Sequence, residues 1–179
     1  MDIRIEKTEK AIRNAFLALR SKKPLEKITI KELCQEACIN KSTFYAHYED
    51  IYALSEALEK ETVTSIIKSI SHEQEYTPHN LDTFTRELCL AFASHVPIIN
   101  ILFSGKEQGY LANCLEKELK KIIFQKYPEY EKDAEANIFL SFCIQGAHHA
   151  YLNNQSADAD TLIRVIENIV KALSYLSNP

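Results

Sequence analysis

An all-α fold is what this chain predicts, and three observations carry the prediction. Long stretches repeat apolar residues at spacings of three and four, the period of a helix with one buried face. No segment alternates apolar and polar residues as a half-buried strand does. Only 3 glycines and 5 prolines occur in 179 residues, so breaks are few and elements are long. At 46% apolar residues the chain can bury a substantial core. The pattern resolves into about nine helices.

Helix one is expected from about Arg4 to Ser21, with Ile5, Thr8, Ile12, Ala15, Phe16 and Leu19 on one stripe. Pro24 sits in the break after it. Thr29 opens helix two, and Glu32 three residues on completes a capping box in which hydroxyl and carboxylate satisfy each other's amides. Leu33 and Ala37 point inward. Asn40 caps a short helix three that ends near His47 or Tyr48. Asp50 caps a longer fourth helix through Ala53, Leu54, Ala57, Leu58, Val63, Ile66, Ile67 and Ile70. The polar, unpatterned stretch Ser71–Asn80 reads as a linker.

Beyond the linker, Leu81–His95 is helical and Pro97 interrupts it. Ile98–Phe103 then forms a separate short turn or helix, and Gly105 and Gly109 bracket a loop. Tyr110–Lys126 is amphipathic, with Lys117, Lys120 and Lys121 near its end, where cations suit the dipole. Pro128 breaks it. Two long helices follow, about Tyr130–Asn153 and Asp158–Leu176, joined at Asn153–Ser156.

Net charge is −4, which does not by itself point to nucleic acid. Residues 1–50 hold 10 lysines and arginines against 8 acidic residues, and the remainder 11 against 17. Any polyanion is therefore expected at the N-terminal part. Five cysteines, odd in number and scattered over helical segments, predict a reduced, cytoplasmic protein. The first ten residues are charged, unlike a signal peptide, and no apolar run reaches the ~18–20 residues of a membrane span.

Helix three is the sharpest signal. Phe44 is placed to anchor it in a three-helix core, leaving Lys41, Ser42, Thr43, Tyr45 and His47 at its start and opposite face. A helix that enters the major groove reads bases with its N-terminal residues and holds phosphates with neighbouring groups. Lys41 reaches a guanine edge or a phosphate, and Thr43 a thymine methyl or a phosphate. Tyr45, His47 and Tyr48 carry donors on stiff rings. The amides opening helix two at Thr29 offer a further phosphate site.

Residues 8–54 resemble the DNA-binding head of the TetR/AcrR family of transcriptional regulators. The matching strings are Ile12-x-x-Ala15-Phe16, Ile28-Thr29, Ala37-x-Ile39, Ser42-Thr43-Phe44-Tyr45-x-His47-Tyr48 and Ala53-Leu54. The resemblance implies a helix-turn-helix DNA-binding domain over 1–48, with its motif at about 29–48, and a helical regulatory and dimerisation domain over 49–179. It implies a homodimer that binds double-stranded DNA at a palindromic operator, usually as a repressor, and a small-molecule effector that releases it. By matching positions, Thr29, Lys41, Ser42, Thr43, Tyr45, His47 and Tyr48 are the DNA contacts. Three positions depart from the family pattern. Cys38 stands where the turn usually has glycine, Ile51 stands where many members have lysine, and Glu49 and Asp50 add negative charge.

Phe84, Phe92, Phe103, Tyr110, Phe139, Phe142 and Tyr151 are first of all core residues. Apolar pockets between bundle helices also take ligands, and Phe92, Phe103, Tyr110, Gln145 and His148 are the candidate pocket residues. Leu162, Ile166, Ile169, Val170 and Leu173 suit a four-helix interface with a second copy. Cys34 and Cys38 at i and i+4 fit core packing, so no metal or cofactor is expected. Cys143 and His148 form no legible nucleophile–base–orienter set, and no enzyme is expected. The alternative to a DNA regulator is a protein-binding helical adaptor with a head of reduced DNA affinity.

Overall fold

The computed structural model describes residues 3–70, 81–103 and 108–176, the side chains at 81–83, 108 and 174–176 excepted. These residues form eight α-helices and no strand: α1 (Ile3–Arg20), α2 (Ile30–Glu36), α3 (Lys41–Tyr45), α4 (Ile51–Lys68), α5 (Leu81–Leu102), α6 (Gln108–Lys126), α7 (Ala134–Asn153) and α8 (Ala159–Leu176). Single 3₁₀ turns at Leu25–Lys27 and Pro128–Glu131 connect α1 to α2 and α6 to α7. The expected linker at 71–80 lies outside the described residues. Among the described residues no helix is long and apolar enough to cross a membrane.

Packing divides the chain into two compact units, Met1–Thr62 with Pro97–Ser104, and Val63–Val96 with Gly105–Pro179. In the first, α1 packs on α2 and α2 on α3. Ile12, Phe16, Leu33, Phe44 and Leu54 are each 0% exposed and form its core. The stripe expected along α1 is therefore buried only from Ile12 onward, since Ile5 is 45% exposed. In the second unit α6 packs on α7 and α7 on α8. Its core includes Phe92, Leu111, Leu115, Leu119, Leu140, Ile144 and Ile166.

Two expectations need correction. Pro97 does not end a helix: α5 runs from Leu81 through it to Leu102, so Ile98–Leu102 is the last turn of α5 and Phe103 follows it. The described residues hold eight α-helices, in line with the all-α expectation of about nine. Proline removes one backbone bond, but burial of Ile99, Leu102 and Phe103 holds the turn beyond it. Phe103 N–H donates to the Ile99 carbonyl at 2.8 Å, and the buried Arg20 guanidinium donates to the Leu102 carbonyl at 3.5 Å. A cation there also suits the negative end of the helix. One of the three boundaries between the two units falls at this proline, between Val96 and Pro97. Gly109 is helical rather than part of a loop, because α6 begins at Gln108. First-turn amides need no intrahelical partner, so glycine is tolerated there. Gly105 lies outside the described residues.

Candidate nucleic-acid interface

The turn between α2 and α3 is built from backbone chemistry first. Thr29 caps the start of α2; its Oγ1 accepts from Glu32 N–H at 3.3 Å and donates to the Glu32 carboxylate at 3.0 Å. The Glu32 carboxylate in turn accepts from Thr29 N–H at 3.4 Å, which completes the expected capping box. Lys23 grips the same carboxylate at 2.7 and 2.8 Å. These partners, Lys23 foremost and then Thr29, hold the Glu32 carboxyl below its usual range. Two amides at the start of α2, those of Thr29 and Glu32, are thus already answered from within the chain.

α2 ends in a Schellman motif. Ile39 N–H donates to the Cys34 carbonyl at 2.9 Å and Cys38 N–H to the Gln35 carbonyl at 3.2 Å, with Cys38 at φ 53°. This is the left-handed region that glycine occupies freely and other residues reach at ~1–2 kcal/mol. Cys38 accordingly carries strain that the surrounding bonds impose. Cys38→Gly is expected to raise stability by about 1 kcal/mol. A thermal melt in which the variant unfolds no higher than the parent would contradict that reading of the turn.

Asn40 then organises the front of α3. Its Oδ1 accepts from Thr43 N–H at 2.7 Å, Ser42 Oγ at 2.7 Å and Thr43 Oγ1 at 2.8 Å. Both hydroxyl protons are spent on Asn40, so Ser42 and Thr43 offer outward only lone pairs. Phosphate oxygens, which only accept, are poor partners for them; the amino groups of adenine and cytosine in the major groove are good ones. With Oδ1 fixed by three donors, the Asn40 amide is aimed as well. Sequence spacing identified Asn40 as a cap but not as a residue that orients its neighbours.

Phe44 is 0% exposed and braces α3, its ring meeting Tyr45 edge-on at 5.6 Å and Tyr48 at 6.1 Å. Opposite it, Lys41 and Ser42 are exposed, Thr43 is half-buried, and Tyr45 is 55% exposed. α3 ends at Tyr45, two or three residues earlier than expected, so His47 and Tyr48 lie beyond it. His47 Nδ1 stands 3.5 Å from the Glu9 carboxylate of α1. Tyr48 is half-buried, and burial, then the Glu9 charge, push its phenol up. The structure thus brings Lys41, Ser42, Thr43 and Tyr45 together at one exposed front, and turns His47 and Tyr48 toward α1. Thr29 is exposed but committed to its capping box. Ile51 is buried, and the Asp50 carboxylate accepts from Ala53 N–H at 2.7 Å. The departures from a basic pattern there thus serve the core and the start of α4. Sequence reasoning did not single out Tyr52, 57% exposed in the first turn of α4. The only signal for it is an aromatic hydroxyl just past the motif.

The five candidate pocket residues do not form one cluster. Phe92 and His148 touch, their rings perpendicular at 5.3 Å, and Phe92 also meets Tyr151 at 5.5 Å. Gln145 faces α6 instead, donating to Asn113 at 3.1 Å and Glu116 at 2.8 Å. Burial opposes the charge on Glu116, but bonds from Ser141, Gln145 and Lys120 outweigh it and hold the carboxyl at about 2. Tyr110 is 46% exposed, and Phe103 belongs to the buried turn at the end of α5. A depression of about 300 Å³ between α5 and α8 is lined by Arg86, Leu90, Asp160, Thr161, Ile163 and Arg164, none of them among the five. Burial pushes the Cys143 thiol up to about 11.

No family model matches the chain, and no curated protein matches it. A solved structure from Pseudomonas aeruginosa PAO1, described as a "putative transcriptional regulator", is similar over 93% of this chain and 90% of its own. The TM-score is 0.57 at 17% sequence identity, so the likeness is one of fold.

Proposed function

We propose that this chain is a TetR-type DNA-binding transcriptional regulator, a ligand-responsive repressor that binds a palindromic operator as a homodimer. The observation that carries the reading is the front of α3. A five-residue helix, too short to persist alone, is fixed by Asn40 at one end and the buried Phe44 beneath. It holds Lys41, Ser42, Thr43 and Tyr45 outward. The structural neighbour's description as a regulator supports the same direction.

In this reading, paired heads set α3 into successive major grooves about 34 Å apart. Lys41 contacts guanine or phosphate, Ser42 and Thr43 accept from base amino groups, and the Tyr45 hydroxyl donates to phosphate. A second copy is supported by Ile138 and Phe142 on α7 and Val165 and Ile169 on α8, apolar yet 43–70% exposed. Residues of α4 and of α5 belong to both compact units, so each helix offers a path for an effector signal. Such an effector must bind the two states unequally, or nothing shifts.

Selecting preferred DNA from a random pool tests the reading: two inverted half-sites about one helical turn apart are expected. Tyr45→Ala should weaken binding to the selected site by more than ~1 kcal/mol, read by gel shift. Affinity should also fall steeply with salt through counterion release. The adaptor reading is favoured by one feature, the inward engagement of His47 and of the Ser42 and Thr43 protons. A pool that returns no enriched DNA would select it.

A further inference from the structure

Ser65 on α4 and His95 on α5 are 30 positions apart in the chain and meet within the second unit, with 2.9 Å between Ser65 Oγ and His95 Nε2. No spacing in the sequence links them. Ser65 is exposed and His95 half-buried, so the pair is open to solvent. Hydroxyls inside a helix commonly return their proton to the carbonyl one turn back. Thr62 does so to Leu58, and Ser69 to Ser65, both at 2.8 Å. Ser65 turns instead to the imidazole of another helix.

The far ring nitrogen fixes which way that bond runs. His95 Nδ1 lies 2.7 Å from the Ala91 carbonyl and 2.9 Å from Ser94 Oγ. A carbonyl only accepts. Ser94 Oγ gives its own proton to the same carbonyl at 2.7 Å, so toward the ring it too only accepts. In the neutral ring Nδ1 therefore carries the hydrogen, Nε2 is a bare lone pair, and Ser65 is the donor. A hydroxyl bonded to a base whose far nitrogen is held by a third group is the arrangement of an activated nucleophile. Lys68, exposed three residues on, neighbours Ser65 on the helix surface. Its cation suits the charge that develops on an attacked carbonyl and draws an anionic donor.

We propose that Ser65 is a self-acylation site for acyl phosphates, with His95 as its general base. Ser65 Oγ adds to the acyl carbonyl while its proton passes to His95 Nε2. The bond between the acyl carbon and the phosphate oxygen then breaks, and phosphate leaves with that proton. An ester on Ser65 and a neutral His95 remain. The donor is anionic, which Lys68 favours, and small enough for a site open to solvent. Phosphate is a good leaving group, so little beyond the base is asked of the protein. This chemistry needs no DNA and stands independently of the regulator reading.

Incubating the full chain with acetyl phosphate, and mapping acetyl groups by fragment mass spectrometry, tests the site. Acetyl is expected on Ser65, released by alkaline hydroxylamine as an ester is. It should form at least roughly ten-fold faster there than on Ser69 of the same region, whose proton goes to a carbonyl. Ser65→Ala should abolish the hydroxylamine-labile acetyl. His95→Gln keeps an acceptor for the Ser65 hydroxyl but is no base. It should slow ester formation about 100-fold or more, within the ~10²–10⁴ that a positioned base contributes. If that variant does not fold, the preference for Ser65 over Ser69 in the parent, and its loss in urea, decides. Acetyl spread evenly over Ser65 and Ser69, acetyl on lysine amines alone, undiminished ester in folded His95→Gln, or no modification would each overturn the proposal.

Discussion

Phe44→Ala should destabilise the first unit by about 3–5 kcal/mol, the usual cost of deleting a fully buried aromatic ring. The ring is 0% exposed and meets Tyr45 and Tyr48, so its loss leaves a cavity and removes two aromatic contacts. α3 has five residues and one side-chain cap. It has little helical stability of its own, and without the brace it should melt before the rest. Hydrogen exchange should show α2 and α3 amides losing protection while those of α7 and α8 keep theirs. Tyr45→Ala, at an exposed site, should leave that exchange unchanged. The pair of variants separates support of the helix from contact made by it. Retained protection across residues 30–45 in Phe44→Ala would mean the helix is held by something other than this ring.

Features written in local spacing were legible in the sequence. The caps at Thr29, Asn40 and Asp50 are each a polar side chain three residues before the amide it accepts from, and each forms as expected. Cys38 at φ 53° follows from the same local logic, since the turn needs a left-handed residue whatever occupies it. Pro97 departs from the local rule because that rule concerns one missing hydrogen bond. Burial of Ile99, Leu102 and Phe103 on the far side is a tertiary effect invisible in the string. Candidate contacts failed to separate for a similar reason. His47 is turned inward by Glu9, thirty-eight positions away, whereas Tyr45, two residues earlier, is not. Nor can helical periodicity tell a core stripe from an interface stripe. Phe142 and Tyr110 read as core aromatics and are exposed. Leu162, Ile166 and Val170 read as interface and are buried within the chain.

That exposed stripe sets up the other large effect. Phe142→Asp is expected to weaken self-association at least 100-fold, about 2.7 kcal/mol, within the range of an interface hot spot. Phe142 is 64% exposed and Ile138, one turn earlier on α7, is 70% exposed. On α8, which packs on α7, Val165 and Ile169 repeat the spacing at 43% and 53%. Four exposed apolar side chains at i and i+4 on two packed helices are the material of a four-helix interface with a second copy. In a two-fold contact each substitution acts twice, so one buried aspartate becomes two. Folding of the single chain should change by no more than ~0.5 kcal/mol, because the side chain is already in water there. Sedimentation equilibrium should therefore find a dimer for the parent and a folded monomer for the variant. Operator affinity should fall with it, since each head alone loses the effective concentration that its partner provides. A parent that sediments as a monomer at micromolar concentration, or a variant of undiminished mass, would remove the homodimer and with it the palindromic operator.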